Sequence, residues 1–432
     1  MKLEIISLFF LVVLSNTLNA QDRNASLGGE GYRVNQYPGV SESASKIFFS
    51  DKKFAFSGYL ELNQIFPTIG TMDRSSQELE LYYSDLYRFS PFFGFRITKK
   101  IMLTAEFQVE YLRDNNLEDE IHVNPELYLD YILNKKINFR AGIFPLNIGY
   151  INNNEEPVLF YSVNRPDVER LIIPTGWNEL GIGLYGALTE NLHYFVSFTN
   201  GVRGRDFRSP TWIRAGSAPE LSFNTVAINP QINYTGFKNV TLSLSGYWSN
   251  AGQKDLLQVS ANEYVDVRST VGLISAYARW DYKQLRLIGM GTYGTLSNTE
   301  DLYQLTLQQN NAAQVMGEVV YGMYLDAGLD ILPFFMRTSE KKDKFNQAKH
   351  RVFRREHAMI PVFARIERLN THHQISAELP AEEASIQNNF ILTLGFNYEP
   401  NEQMAVKMDY VIGDNRFGAH KELIEFGFGV SF

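Results

Sequence analysis

Apolar residues recur at every second position along most of this chain, and that period restricts what it can fold into. Ile101, Leu103, Ala105, Phe107, Val109 and Tyr111 share one parity, while Thr104, Glu106, Gln108 and Glu110 share the other. The stretches Val240 to Trp248 and Phe390 to Tyr398 behave alike. At the C-terminus apolar side chains fall at 424, 426, 428, 430 and 432, with small or charged ones at 425, 427, 429 and 431. A period of two is that of β-strands with one greasy and one polar face. No amphipathic helical stretch of comparable length is evident.

The strands this period predicts lie near 54–66, 78–97, 101–113, 122–134, 137–147, 180–188, 192–202, 221–234, 240–250, 267–282, 284–297, 312–331, 357–368, 388–399, 404–412 and 421–432, about 16 in all. Short turns such as Lys99-Lys100, Asn134-Lys135-Lys136 and Tyr282-Lys283-Gln284 alternate with longer polar stretches at 67–77, 148–179, 203–220, 251–266, 298–311, 369–387 and 413–420. Short turns on one side and long loops on the other are the habit of membrane barrels. The expected fold class is all-β: a transmembrane antiparallel up-and-down β-barrel of about 16 strands, with one long loop folded into the lumen. Treating 329–337 as a further strand would make the count odd, so 332–356 is placed in one enlarged connection on the short-turn side. That segment is basic, with Lys341, Lys342, Lys344, Lys349, Arg351, Arg354 and Arg355 against Glu340, Asp343 and Glu356. It reads as a solvated insertion or as a contact for an anionic partner.

Both chain ends agree with export. Lys2 precedes the apolar run Ile5 to Leu14, and a small-residue region ends at Ala20, the layout of a signal peptide. The domain reading is a signal peptide at 1–20, a flexible periplasmic tail at 21–53 and the barrel at 54–432. Mean hydropathy is −0.21, as expected where lipid-facing and lumen-facing residues cancel. The absence of cysteine excludes a disulfide framework, a thiolate metal site and a lipid-anchored N-terminal Cys. A net charge of −8 argues against nucleic acid as a partner. The 24 Tyr and 31 Phe would furnish two interfacial aromatic girdles. The final strand resembles the terminal strand of bacterial outer-membrane barrels, and Phe432 is its expected assembly signal. The resemblance implies location in the outer membrane, contact with its lipid and recognition by the barrel-assembly machinery.

A barrel of this size leaves a water channel unless a loop fills it. With the greasy face outward, the lumen receives Glu61, Asn63, Glu106, Gln108, Glu110, Glu126, Asp130, Arg140, Arg279, Asp281, Arg365, Glu367, Lys407, Asp409 and Glu425. Such residues either tune selectivity or pair across strands and hold the wall. The long loop contains Gly142-Ile143-Phe144-Pro145, Asn154-Glu155-Glu156-Pro157, Asn164-Arg165-Pro166 and Pro174-Thr175-Gly176-Trp177-Asn178-Glu179. Further on come Phe363-Ala364-Arg365-Ile366-Glu367 and Val406-Lys407-Met408-Asp409-Tyr410. In these stretches the chain resembles the phosphate-selective porin O/P-like family of outer-membrane proteins. The resemblance implies a homotrimeric, general or anion-preferring diffusion channel narrowed by the loop, whose candidate constriction residues are Glu155, Glu156, Arg165, Arg170, Trp177 and Glu179. Its prolines, Pro157, Pro166 and Pro174, make the loop stiff, which suits a constriction or a packed plug. The inward positions carry no dense ladder of Arg and Lys, on which the phosphate selectivity of the resembled family depends.

Rival readings are a non-conducting structural barrel or adhesin, a plugged specific transporter, and a barrel-embedded enzyme. The seven histidines form no catalytic arrangement with an activated nucleophile, and there is no phosphate-cradling Gly loop or His-Glu-x-x-His. The sequence therefore points away from an enzyme and calls for no cofactor or metal. His372 and His373 are adjacent, so on a strand their rings would point to opposite faces.

Overall fold

The computed structural model describes residues 53–69, 85–113, 119–174, 176–217, 219, 221, 223–335, 358–401, 403–416 and 420–432. The segment 1–20 read as a signal peptide, nearly all of the segment 21–53 read as a tail, and the basic segment from 336 to 356 lie outside the described residues.

Sixteen strands close into one antiparallel barrel. In chain order they begin β1 (Phe54–Ile69), β2 (Asp85–Arg96), β3 (Ile101–Arg113), β4 (Asp119–Ile132), β5 (Asn138–Pro145), β6 (Asn178–Thr189), β7 (Leu192–Asn200), β8 (Val226–Tyr234) and β9 (Val240–Asn250). A separate hairpin follows, β10 (Leu256–Ser260) with β11 (Glu263–Asp266). The wall resumes with β12 (Thr270–Tyr282), β13 (Leu285–Leu296), β14 (Val319–Asp330), β15 (Pro361–Gln374), β16 (Asn388–Asn401), β17 (Met404–Asn415) and β18 (His420–Ser431). Each strand pairs with its neighbours in the chain, except that β9 pairs β12 across the hairpin and β18 returns to β1. That seam runs in register from Tyr59 opposite Ser431 to Phe66 opposite Ile424. Phe432 extends it: its N–H donates to the Gly58 carbonyl at 2.9 Å, and its carbonyl accepts from the Gly58 N–H at 3.1 Å. Its ring lies 5.5 Å from Phe56 and 6.3 Å from Phe89.

The predicted parity holds. On β3, Phe107 and Val109 are exposed while Met102, Thr104, Glu106 and Gln108 are buried. Exposed aromatics form two bands, with Phe54, Phe95, Tyr131, Trp280, Tyr282 and Tyr398 towards the short turns. Phe66, Tyr87, Phe198, Trp248, Tyr293 and Phe390 lie towards the long loops. Amphipathic rings at two such levels suit the two interfaces of a bilayer. The connection after β14 joins it to β15 on the short-turn side, as strand parity requires. Its first residues form a helical turn, α2 (Leu332–Phe335), and no additional strand.

Three expectations need correction. The polar stretch 298–311 holds a helix, α1 (Thr299–Asn310). Glu300 and Asp301 favour its positive N-terminal end, and Asn311 ends it in a left-handed conformation. Its weakly amphipathic sequence hid it, since only Leu302, Leu305 and two threonines are buried. The stretch 251–266 holds the β10–β11 hairpin rather than an irregular loop. β15 runs on to Gln374, beyond 368, through an irregularity in its pairing with β14 at which Leu369, Asn370, Thr371 and His372 are all buried. On that strand His372 points inward and His373 is exposed against Tyr321, so the two rings do face opposite ways.

Candidate functional site

Between Pro145 and Asn178 the chain leaves the wall, crosses the lumen and returns. This loop, 146–177, is buried along most of its length. It starts with the Leu146 N–H on the Trp177 carbonyl at 2.8 Å, and Gly149 takes the left-handed φ of 76° that its turn requires. Short helical turns at Ile151–Asn153 and Val168–Ile172 stiffen it.

The loop tip docks on the far wall. Lys407 donates to the carbonyls of Phe160 and Ser162, both at 2.9 Å, with its ammonium 3.9 Å from the Phe160 ring centre. Asp409 accepts the Val163 N–H at 2.7 Å, and Glu425 accepts the Asn164 amide at 3.0 Å. Asn397 donates to the Tyr161 carbonyl at 2.9 Å. Arg365 pairs with Glu367 at 2.8 Å and donates to Ser162. Glu367 accepts the Val168 N–H at 3.3 Å. Ser431 donates to Glu156 at 3.0 Å. Burying these charges without partners would cost several kcal/mol each, so the pairing is what lets them sit inside.

Glycines on the inner wall make room for the same tip. A Cβ at Gly328 would strike the Tyr161 ring, which stacks on Phe363 at 5.5 Å. One at Gly322 would come within 2.7 Å of Val168, and one at Gly429 within 2.8 Å of Pro157. Beneath the returning limb, Glu169 accepts from the N–H groups of Tyr150 and Ile151 at 2.8 and 2.7 Å and from the Tyr324 hydroxyl at 2.6 Å. Burial pushes the Glu169 carboxyl up to about 7.

A second loop, 201–217, also turns inward. Phe207, Trp212 and Ile213 are fully buried. The Trp212 indole donates to the Gly317 carbonyl at 3.1 Å and sits where a side chain at Gly294 would clash. α1 covers this loop, with Leu302 against Gly204. One apolar cluster joins both loops to the wall: Leu146, Ile148, Ile172, Trp212 and Ile213 with Tyr247, Ile288, Tyr324 and Leu369. Both loops thus occupy interior space that the wall alone would leave to water. From sequence the second loop is one more long polar stretch, because its inward residues follow no period.

The charged positions named from sequence fall into three groups. Arg365, Glu367, Lys407, Asp409 and Glu425 hold the loop, as described. Asp130 and Arg140 pair at 3.0 Å, with the guanidinium 4.2 Å from the Tyr128 ring and enclosed by Phe144, Tyr185 and Phe195. Arg279 and Asp281 pair at 3.3 Å, and Arg286 joins Asp281 at 2.6 Å. The third group faces the loop from β1 to β4. Arg88 bridges Glu61 and Glu110, each at 2.6 Å. Beside it lie Glu106, Glu126, Glu155 and Arg165, and two nitrogens of Arg165 are buried without a hydrogen-bond partner among the described residues. Arg170 pairs with Asp167 at 3.0 Å, and the Trp177 indole donates to Glu179 at 3.1 Å while its ring meets Tyr247 at 4.5 Å. Arg88, Glu169, Tyr324 and Trp212 escaped the sequence reading. Glycines at inward parity on β14 and β18 were the available signal for docking, since a wall facing open water has no need of them.

No family model matches the chain. It is 25% identical over 389 residues to an uncharacterized protein of Aquifex aeolicus (strain VF5), covering 88% of this chain and 80% of that one. Among solved structures it is similar to OmpF of Salmonella typhi in complex with daunomycin, with a TM-score of 0.53, 10% identity, and 88% and 97% of the two chains covered. It is also similar to the outer membrane channel DcaP of Acinetobacter baumannii, with a TM-score of 0.52, 13% identity and the same coverage. At these identities the likeness is one of fold: the closed antiparallel barrel of outer-membrane porins.

Proposed function

We propose that this protein is an outer-membrane channel of the porin type, passing small hydrophilic solutes or ions by passive diffusion along a path narrowed by the loop 146–177. The observation that carries the reading is a stiff loop crossing the lumen of a closed 16-strand barrel and anchored to its far wall by Lys407, Asp409 and Glu425. The remaining charged groups on β1 to β4, with Glu155 and Arg165 of the loop, would line the narrow part. Delivery by the segment 1–20, assembly through the strand ending at Phe432, and a homotrimeric state belong to the same proposal.

Selectivity for anions such as phosphate needs lumenal cations that a passing solute meets. Arg88, Arg140 and Arg365 engage carboxylates, Lys407 engages loop carbonyls, and the charge of Arg165 is offset by Glu110 and Glu155. The expected channel therefore has small conductance and no strong anion preference. Single-channel recording in a planar bilayer under a salt gradient tests this. Steady small steps with a reversal potential near zero or on the cation side support the reading, and a strongly anionic reversal potential refutes the assignment of these cations. The apolar cluster joining loops and wall favours a second reading, a sealed structural barrel, which predicts folded protein without steps.

A further inference from the structure

Glu106 on β3 and Glu126 on β4 stand directly opposite each other in the strand register. Like charges in that position repel, and more so when buried. They are 1% and 4% exposed, and neither has a salt bridge among the described residues. The loop then adds a third carboxylate, Glu155, also 4% exposed. Oxygen atoms of all three lie within 4.8 Å of one another. Nearby cations do not resolve this. Arg88 is engaged with Glu61 and Glu110, and Arg165 acts on both Glu110 and Glu155. Arg140, which acts on Glu126, is paired with Asp130, so carboxylates outnumber guanidinium groups around the cluster.

A second observation points the same way. The Tyr59 hydroxyl is buried, has no hydrogen-bond partner among the described residues, and has Glu155 and Glu106 as the acidic charges acting on it. An orphaned hydroxyl beside a carboxylate cluster is a place for a missing polar partner.

We propose that Glu106, Glu126 and Glu155 bind one hard divalent cation of the Ca2+ class, which clamps the inserted loop to the wall. An all-oxygen donor set suits Ca2+ rather than Zn2+ or copper. Carboxylate oxygens lying within 4.8 Å of one another can reach a single ion at Ca–O distances of about 2.4 Å, and the flexible coordination of Ca2+ tolerates an irregular arrangement better than the near-ideal octahedron of Mg2+. Ca2+ takes six to eight ligands, so waters complete the shell, and one of them supplies the partner of Tyr59. The ion joins two adjacent wall strands to a loop residue next to Glu156, which is itself bonded to Ser431. This inference does not depend on whether the barrel conducts.

The test uses the full chain folded in detergent micelles at pH 8, with Mn2+ as the probe. The free-ion resonance spectrum is titrated, and Ca2+ is then added in competition. The expected result is one saturable Mn2+ site per chain, displaced by Ca2+, weakened at least about tenfold in Glu155→Gln and Glu126→Gln, and unchanged in Glu382→Gln on an exposed turn. Glu155→Asp, which keeps the charge and shortens the reach, guards against misfolding of the amides and should bind more weakly than the native chain. Absence of a saturable site in the native protein, or equal binding by the Glu155 and Glu126 variants, overturns the proposal and leaves protons to hold the three carboxylates together.

Discussion

The two inserted loops enter the same barrel by different physics. Loop 146–177 is fixed by charge and shape: Lys407, Asp409 and Glu425 grip its backbone and side chains, and glycines on β14 and β18 receive Tyr161 and Pro157. Loop 201–217 has no comparable set of charged strand residues gripping its backbone: Phe207, Trp212 and Ile213 enter the apolar cluster that the first loop also joins, and α1 closes over them. Directional bonds specify one register, because a shifted loop would strand buried charges. An apolar insertion gains more from area and less from register. The first loop is therefore the part positioned finely enough to define a path, and the second acts as a wedge that supports it.

Substitutions can break that contrast in graded steps. Trp212→Ala should have the largest effect on packing, about 4 kcal/mol, since it empties a fully buried site and leaves the Gly317 carbonyl without its donor. Hydrogen exchange should place the loss in loop 201–217 and α1, while the backbone bonds of the wall keep their protection. Equal loss of protection in loop 146–177 would show that the loops behave as one body. Gly328→Val should cost less, about 2 kcal/mol, by driving Tyr161 off Phe363. Its signature is altered conductance, because it displaces the tip of the first loop. Gly294→Val, which meets Trp212 instead, should disturb the wedge with a smaller change in conductance.

A further effect is electrostatic and is read as a pH slope. The Glu169 carboxyl is raised from 4.5 to about 7 by burial, so the folded chain holds its proton more tightly than the unfolded one. Its contribution to stability is full below pH 4.5 and is lost as pH rises towards 7. Glu169→Gln keeps an acceptor for the Tyr150 and Ile151 N–H groups and removes the titration. Thermal unfolding between pH 4.5 and 7 should therefore slope less in the variant than in the native chain. Identical slopes would remove Glu169 as the titrating strut.

The wall was legible in the sequence because a period of two is local: it gave the parity on β3, the alternation of turns and loops, and the strand count. Parity also identified which charges point inward. What it could not reveal was their partners. Lys407 and Phe160 are far apart in the chain, and only the closed barrel brings them together. The first loop announced itself through Pro157, Pro166 and Pro174, which mark a stiff and specific course. The second carried no comparable signal, since Phe207 and Trp212 stand among Arg, Ser and Gly residues without a repeat. α1 was missed for the related reason that its buried stripe is narrow and its sequence is mostly polar.

The central claim is that loop 146–177 sets the width of a conducting path. The direct measurement is single-channel conductance of the native protein beside a variant lacking residues 152–172, both verified as folded barrels. The account predicts steady small steps in the native channel and steps several-fold larger in the variant, because the deletion removes the tip docked on Lys407 and Asp409. Conductance unchanged by the deletion would contradict it.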